Sequence, residues 1–499
     1  MLRARPSATG ARGFLLAALL VLLGGCASTS EYFKDAGRPA AEAPSPLEAW
    51  PHRELWTGIV FNGQKVGFTR REVRPAPGAP GRYEIESEAA IRLQFLGFDK
   101  RVSLRSLERV RGDLTLESFR YSQKIDGSQM EVTGSSDGKV LKFAVKASGS
   151  EQSKALSIDE PLYPTSALAL LPVVHGLAVG AAGRYSVFNA ETQSISTAEQ
   201  HVQAYETSGL FAGTAFRTVT ALLGMETVTW IAADGRPLLE RGLNGVMISA
   251  LENEATAKSY LLEASLSKRD ALVDFSLLPA GPLEAPRRVS GLEIVIEDMP
   301  AAFAVPSEGG QSCSRSGGRL ECRIDRSAAL AQGEPKPYLA ATLAAPSNLG
   351  QIKVLAEKII SGEKDQEKAV ARLLSWIEEN IAKEAIDSFT AVDVLREGRA
   401  ECQGHAYLLA ALARASGIPA RIVNGIVYSE AHGGFLYHTW NELWLEGRGW
   451  RPVDATFGQA HADATHLKLL EGEAAADLLP LASLIGKIRV VSLAPLARW

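Results

Sequence analysis

The sequence contains little that would indicate a membrane-spanning or nucleic-acid-binding protein. Its longest uninterrupted apolar run, residues 14–23, has ten residues, whereas a helix needs about 20 to cross the hydrocarbon core of a bilayer. Acidic and basic residues nearly balance, with 57 Asp and Glu against 53 Lys and Arg, so no positive excess favours nucleic acid. The acid-dense loops that bind calcium are also absent from the sequence, and no cofactor is expected.

Cysteine is scarce, and the first of the four cysteines follows the apolar run. Three arginines precede residues 14–23, and the run ends in Leu23-Gly24-Gly25-Cys26. A basic start, a short apolar stretch and small residues before a cleavage point are typical of a secretory signal peptide. The last four residues resemble the bacterial lipobox, so residues 1–25 are predicted as a lipoprotein signal peptide and Cys26 as the lipidated residue. The alternative is an ordinary cleaved signal that happens to precede a cysteine.

The lipobox resemblance implies a protein of the bacterial cell envelope that is attached to the membrane by a lipid anchor. Ala27, rather than Asp, follows Cys26, which by the same resemblance implies sorting to the outer membrane, facing the periplasm. Residues 26–53 mix prolines with alanines, a composition that predicts an extended tether between the anchor and the folded part.

The remaining cysteines fall into a predicted pair and one spare thiol. Cys313 and Cys322 flank the turn-like sequence Ser316-Gly317-Gly318-Arg319, so we expect them on facing strands of a hairpin. An oxidising periplasm would let them form a disulfide, although two unpaired thiols remain the alternative. Cys402 is then the one cysteine left free.

Residues 54–268 have the pattern of an antiparallel sheet. Apolar and charged residues alternate over residues 83–95, and Asp126-Gly127 and Asp137-Gly138 stand between such stretches, where tight hairpins need residues that tolerate positive φ. A large sheet or half-barrel is predicted, either as a scaffold or as a concave surface that holds a lipid tail or a partner. Residues 269–345 are predicted as a small β module or connector, and residues 346–499 as a mixed domain with helices. The fold class is therefore α+β.

The spare thiol lies in a setting that favours reactivity. Cys402 directly precedes a predicted helix, 403–415, and a helix N-terminus beside an imidazolium stabilises a thiolate. His438 starts a predicted strand, and Asp454 ends its antiparallel neighbour. The imidazole and the carboxylate should therefore meet at one edge of the sheet, where the acid can fix the orientation of the imidazole.

Several spaced motifs around these residues resemble the core of the transglutaminase-like superfamily, whose fold is papain-like. The matching residues are Cys402, Gly417-Ile418-Pro419-Ala420-Arg421, His438-x-Trp440-x-Glu442 and Trp450-x-x-x-Asp454-x-Thr456. The resemblance covers roughly residues 350–460. This chain departs from it at Ala400, Glu401 and Ala455, where the family has glycine, Asp or Ser, and proline.

The resemblance implies a cysteine protease, amidase or acyltransferase with no metal and no cofactor. Cys402 would attack an amide or ester carbonyl, His438 would hold and return the proton, and Asp454 would orient the imidazole. The backbone N–H of Cys402 would stabilise the oxyanion, with Gln403 and Trp440 as candidates for a second donor. The implied substrates are peptides or proteins of the cell envelope, cleaved or transferred at an amide bond.

Two other functions stay open from the sequence alone. The chain could be an envelope binding or assembly protein without turnover, or a lipid or lipoprotein handler that works through its β-rich region. His405 is interpreted as a packing residue, since no ligand cluster supports zinc at Cys402, His405 and His438. His461 and His466 are placed in a lid or a solvated tail, and Arg421 is expected to pair with an acid.

Overall fold

The computed structural model describes residues 33–61, 63–95, 98–242, 245–259, 277–484 and 486–496. The predicted signal peptide and Cys26 lie outside these ranges. Within them, no helix combines the length and the apolar character that crossing a membrane requires.

The largest sheet in the described part of the chain has sixteen strands and occupies the N-terminal half. They are β1 Phe33–Asp35, β2 Glu54–Phe61, β3 Gln64–Pro75, β4 Arg82–Phe95, β5 Phe98–Arg111, β6 Leu116–Ile125, β7 Ser128–Ser136, β8 Val140–Ala147, β9 Ser150–Ser157, β10 Leu162–Pro164, β11 Ala182–Asn189, β12 Ser194–Ser208, β13 Thr214–Leu222, β14 Met225–Ile231, β15 Pro237–Gly242 and β16 Met247–Glu252. The order is β10 to β16 followed by β2 to β9, with β1 beside β12. Neighbours are antiparallel except β10 and β11. The predicted β-rich region is confirmed.

Short turns connect most consecutive strands of the sheet, as the sequence predicts. Asp126 and Gly127 join β6 to β7 with φ of 47° and 100°, a left-handed backbone that glycine and aspartate tolerate best. In β8, Leu141, Phe143 and Val145 are buried while alternate residues face outward. This period of two places one face of the sheet against a core.

The sheet curls around an internal space. Residues of β2 to β6 and residues of β11, β15 and β16 border the same cavity of about 590 Å³. A 3-10 helix, Thr165–Ala169, and helix α1, Leu171–His175, pack inside one end. Leu170 and Leu171 are buried there in the core of the sheet.

The described part of the predicted tether is packed on this sheet. β1 pairs with β12, and the ring of Phe33 stacks on Trp230 with centroids 4.4 Å apart. Leu47 and Trp50 are buried in the core around α1. Residues 33–50 therefore do not form a free spacer, because their few large apolar side chains gain more by burial than by exposure.

The C-terminal half contains six further helices and two larger sheets among the described residues. The helices are α2 Glu254–Lys258, α3 Gly350–Ile360, α4 Gln366–Asn380, α5 Ala391–Glu397, α6 Cys402–Ala415 and α7 Ala475–Ala482. The strands are β17 Leu278–Pro279, β18 Gly291–Glu297, β19 Gln311–Ser316, β20 Arg319–Asp325, β21 Ala382–Lys383, β22 Arg399–Ala400, β23 Ala420–Ser429, β24 Gly434–Leu445, β25 Gly449–Val453, β26 Leu467–Glu471 and β27 Arg489–Pro495. Helices α3 to α6 share one core with β23, β24 and β25, so the α+β class is confirmed.

The stretch predicted as a small β module or connector, 269–345, is described from residue 277, and this part is joined to the C-terminal half by strand pairing. β18 lies between β20 and β27, the last strand of the chain, and β17 pairs with β24. Residues of β18 and β20 also share a core with Ile426, Phe435 and Leu467. The local pattern predicted the strands, but their partners come from distant parts of the sequence.

The packing of residues 33–50 can be tested by truncating Trp50, whose side chain is 7% exposed. We expect Trp50→Ala to lower the free energy of unfolding of the N-terminal sheet by about 3 kcal/mol, as large-to-small changes in a core do. Chemical denaturation followed by circular dichroism measures this. Glu48→Ala, at an exposed position of the same segment, is the matched control, and equal stabilities of the two variants would contradict the packed arrangement.

Candidate active site

Cys402 is the first residue of α6, and local sequence fixes that position. Thr390 caps α5, its side chain and that of Asp393 forming a reciprocal capping box, and Gly398 ends α5 with a φ of 65°. The short strand β22 then leads into α6. Among the described residues Cys402 is the free cysteine, and it is half-buried, so the thiol stands at the positive end of the helix dipole.

Gly404 allows α6 to approach the preceding segment closely. A Cβ atom at this position would lie 2.6 Å from the Cβ of Ala400 and 3.0 Å from Val394. Residues 404–414 of α6 are all buried, so the helix cannot move outward to make room. The start of the helix, and with it Cys402, is held by close packing on both sides.

The structure brings His438 and Asp454 to the thiol. His438 lies within β24 rather than at its start, and Asp454 directly follows β25, yet the pairing of these strands places both side chains at one edge. His438 Nε2 lies 2.7 Å from Asp454 Oδ2, and Cys402 is the other group that acts on the imidazole and raises its pKa. Because Nε2 is bound to Asp454, Nδ1 is the nitrogen left for the thiol.

The groups around His438 favour the protonated form of its imidazole. Burial alone would lower the pKa of His438, but the charges of Asp454 and Cys402, and hydrogen bonds to both, raise it to about 9. Burial would likewise raise the pKa of Asp454, but His438 and His466 outweigh it and hold this pKa well below its usual value. A protonated imidazole beside Cys402 is the arrangement that stabilises a thiolate.

A second histidine binds the same carboxylate oxygen, and sequence reasoning missed it. His466 is fully buried, not part of a lid or a solvated tail, and its Nε2 lies 2.9 Å from Asp454 Oδ2. Oδ1 of Asp454 accepts from the backbone N–H groups of Thr456 and Phe457. Asp454 is thus saturated with donors, which fixes its orientation toward His438.

His466 has hydrogen-bond acceptors at both ring nitrogens. Its Nδ1 lies 3.2 Å from the carbonyl oxygen of Asp463 and 3.3 Å from Oδ1 of that residue. Burial would lower the pKa of His466, but Asp454 and Asp463 raise it. Asp463 is in turn bound by Arg287 at 3.0 Å, so basic and acidic groups alternate from His438 to Arg287.

Aromatic rings surround the imidazole of His438. Phe457 stacks on it with centroids 5.2 Å apart, and the guanidinium of Arg287 lies over the Phe457 ring, 4.3 Å from its centroid. Trp440 lies nearly parallel to His438 at 6.2 Å. These apolar faces keep water from the imidazole and strengthen its interaction with Asp454.

The two candidate oxyanion donors differ in how their N–H groups are used. The side-chain amide of Gln403 donates to the hydroxyl of Tyr407. Trp440 is buried, and its Nε1 has no hydrogen-bond partner in the described part of the chain. Trp440 is therefore the candidate with an uncommitted donor. His405, a buried residue of α6, lies with its Nδ1 2.8 Å from the carbonyl oxygen of Glu401.

One cluster of side chains in the described part of the chain is compact enough to be considered as a metal site. It consists of His438, Asp454 and His466, whose potential ligand atoms lie within 4.8 Å of one another. Their separations of 2.7 and 2.9 Å are hydrogen-bond lengths. Both imidazoles direct a nitrogen at the same carboxylate oxygen, which leaves no space for an ion between them. The geometry fits proton-sharing groups better than a metal centre.

The N-terminal sheet reaches the residue that precedes the thiol. Lys100 of β5 lies 2.9 Å from Asp387 and 3.1 Å from Asp126 of the turn after β6. Asp387 is hydrogen-bonded to the buried carboxyl of Glu401, whose pKa is raised well above its usual value by burial and by Asp387, with Lys100 opposing. The start of α6 therefore depends on contacts from both halves of the chain.

The other predicted residues have structural contacts. Arg421 is ion-paired with Glu442 and with Glu471, which braces β23 against its neighbours as expected. Cys313 and Cys322 form a disulfide between β19 and β20.

The role of His466 can be tested by titration of His438. In His466→Gln the carboxylate of Asp454 loses a cationic neighbour and holds the imidazolium of His438 more tightly, so the pKa of His438 should rise further, by about one pH unit. In Asp454→Asn it should fall, since the main raising influence is removed. Histidine-selective NMR measures both. His432→Gln, at an exposed site, is the control, and an unchanged His438 titration in His466→Gln would refute the electrostatic coupling.

Residues 353–455 match the model of the Transglutaminase-like superfamily. The chain is also 35% identical over 89 residues to the Kyphoscoliosis peptidase of Mus musculus and 34% identical over 84 residues to that of Homo sapiens. These matches cover 16% and 15% of this chain and 13% and 12% of the relatives, so the chain spans a small part of their length.

Two solved structures resemble parts of the chain at low identity. A protein described as a candidate cysteine protease from Cytophaga hutchinsonii is 17% identical with a TM-score of 0.27, covering 44% of this chain and 85% of its own. A β-barrel-like protein of a domain family of unknown function from Brucella abortus is 13% identical with a TM-score of 0.30, covering 40% and 95%. The family match falls on the segment that carries Cys402, His438 and Asp454. Residues 353–455 are a transglutaminase-like domain.

Proposed function

We propose that this protein is a lipid-anchored periplasmic cysteine enzyme that acts on amide bonds of peptides or proteins of the cell envelope. The observation that carries the proposal is the 2.7 Å hydrogen bond between the His438 imidazole and the Asp454 carboxylate, with the free thiol of Cys402 at the start of α6 acting on the same imidazole. The transglutaminase-like domain supports the same chemistry.

In the proposed reaction, the sulfur of Cys402 attacks the carbonyl carbon of the substrate amide and its thiol proton is held by His438. The tetrahedral intermediate places its oxyanion near the backbone N–H of Cys402 at the start of α6, with Trp440 as the second donor. The C–N bond then breaks, and His438 delivers its proton to the leaving amine. A thioester remains on Cys402.

The thioester has two fates, which are hydrolysis and acyl transfer. In hydrolysis, water attacks the thioester carbonyl and passes a proton through His438 back to the sulfur. In transfer, an amine takes the place of water. Asp454 keeps the imidazole in place in both, because its other oxygen is anchored by two backbone N–H groups.

Reaction of Cys402 with iodoacetamide tests whether the thiol is activated. The soluble mature chain carrying Cys26→Ser has Cys402 as its unpaired cysteine, because Cys313 and Cys322 are joined. We expect fast, single-site alkylation of the native protein at pH 7, slowed by roughly tenfold or more in His438→Ala because the cation that stabilises the thiolate is lost. Mass spectrometry of the native protein over time gives the rate.

Cys402→Ala, which should take up no label, and His432→Ala, which should react like the parent, serve as matched controls. Labelling that occurs only after denaturation would exclude the enzyme and favour a binding or assembly protein that keeps the fold without turnover.

The lipid anchor is a separate proposal with its own test. Cells that express the full chain with radiolabelled palmitate should incorporate label into the protein, and Cys26→Ser should abolish it. Cys402→Ser serves as the control, because loss of a thiol elsewhere should leave incorporation unchanged. Equal label in the Cys26→Ser variant would rule out lipidation at this residue.

A further inference from the structure

Three neighbouring cavities lie inside the curled sheet and between it and the start of α6. Their volumes are about 590, 590 and 570 Å³, and Glu191 borders all three. The first two lie within the sheet and share Arg71 and Glu240. The third shares Leu478 of α7 with the first. Each cavity therefore has at least one lining residue in common with each of the others.

The third cavity reaches the start of α6, although Cys402, His438 and Asp454 are not among the described residues that line it. Gln403, the residue that follows Cys402, forms part of its wall, together with Ser388 and Tyr407. On the opposite side it is lined by Gln123 of β6 and Lys154 of β9. A cleft between two structural units, next to a reactive group, is where a substrate is generally bound.

The inner cavities contain a cation with no direct partner. Arg71 of β3 lines both of them. In the described part of the chain no carboxylate lies within ion-pair distance of its guanidinium, whereas the preceding residue, Arg70, pairs with Glu54 and Glu72 on the other face of the strand. Because the guanidinium of Arg71 has no ion pair with the described residues, it is available to bind the carboxylate of a ligand.

The wall beside Arg71 is lined with hydroxyl groups. Thr218 faces Thr229 across β13 and β14, and Thr220 faces Thr227, and all four border the same cavity as Arg71. Apolar side chains such as Leu168, Leu222 and Ile231 line other parts of this cavity. Hydroxyl groups that can both donate and accept suit the backbone of an extended peptide.

Buried acidic side chains share the cavities with Arg71. Burial raises the pKa of Glu108 to about 7, with Ser106, Ser166 and Arg71 opposing. Burial also raises the pKa of Glu240 and lowers the pKa of Arg71, with the charges of Glu240 and Glu108 opposing. A carboxylate that enters the cavity therefore competes with Glu240 and Glu108 for the guanidinium, and neither of them forms a direct ion pair with it.

We propose that the cavities of the N-terminal sheet continue the substrate site and bind the carboxylate end of an extended peptide, with Arg71 as the anchor. This rests on the proposed function for its placement beside Cys402. The curled sheet is then the part of the protein that selects which peptides reach the thiol, and a peptide whose terminal carboxylate is blocked binds weakly.

Binding is measured on the full mature chain carrying Cys26→Ser and Cys402→Ala, so that turnover plays no part. The protein is incubated with a mixed library of N-acetylated hexapeptides with free C-terminal carboxylates, with the same library as C-terminal amides, and with palmitate. Retained molecules are identified by mass spectrometry after rapid filtration. We expect the free-acid peptides to be retained at least about tenfold better than the amides, and Arg71→Gln to remove this preference.

Arg71→Lys, which keeps the charge, should retain part of the preference, and Arg120→Gln, an exposed arginine of β6, should leave it intact. Thermal unfolding of each variant checks that the sheet is folded. Retention of palmitate alone, equal retention of acids and amides, no retention of either library, or a preference that survives in folded Arg71→Gln would each overturn the proposal. Failure of Cys402 to react with iodoacetamide would instead overturn the proposed enzyme and leave this binding result standing.

Discussion

The arrangement of the site depends on one buried carboxylate, that of Asp454. Its side chain has no exposure to solvent, and a charge in that position is tolerated only if every lone pair has a donor. Two imidazoles and two backbone N–H groups supply those donors. Because the same oxygen binds both imidazoles, the orientation of His438 and the protonation of His466 are linked. Removing either partner changes the electrostatic field at Cys402.

A second constraint connects this site to the rest of the chain. Lys100 belongs to the large sheet, yet it contacts Asp387, which is bonded to Glu401 beside the nucleophile. The hydroxyl of Ser148, also from the sheet, binds Asp393 in the capping box of α5. Polar contacts of this kind fix the position of the large sheet relative to the start of α6, because a shift of either part would leave charged groups without partners. The N-terminal sheet is therefore a structural part of the site and not only a neighbour.

The sequence predicted those features that depend on local patterns. Alternating residues and Asp-Gly turns indicated the strands of the large sheet, and the motifs that contain Cys402, His438 and Asp454 are short enough to be seen in one stretch each. His466 was missed because it belongs to no such motif and reaches Asp454 only through the turn at Asp463. Arg71 was missed for a related reason. The sequence shows an arginine on a strand, but it does not show which side chains of the described part of the chain lie near the guanidinium.

The pairing of β18 with β27 bears on the order of folding. β27 is near the end of the chain, so the sheet that supports the site is complete only when nearly the whole chain is available, and such distant contacts form slowly. The hairpin of β19 and β20 is local, and its cysteines are nine residues apart, so they meet early. If the chain is exported, as we propose, this order would commit Cys313 and Cys322 to each other before Cys402 has its final surroundings, and would keep the spare thiol from mispairing.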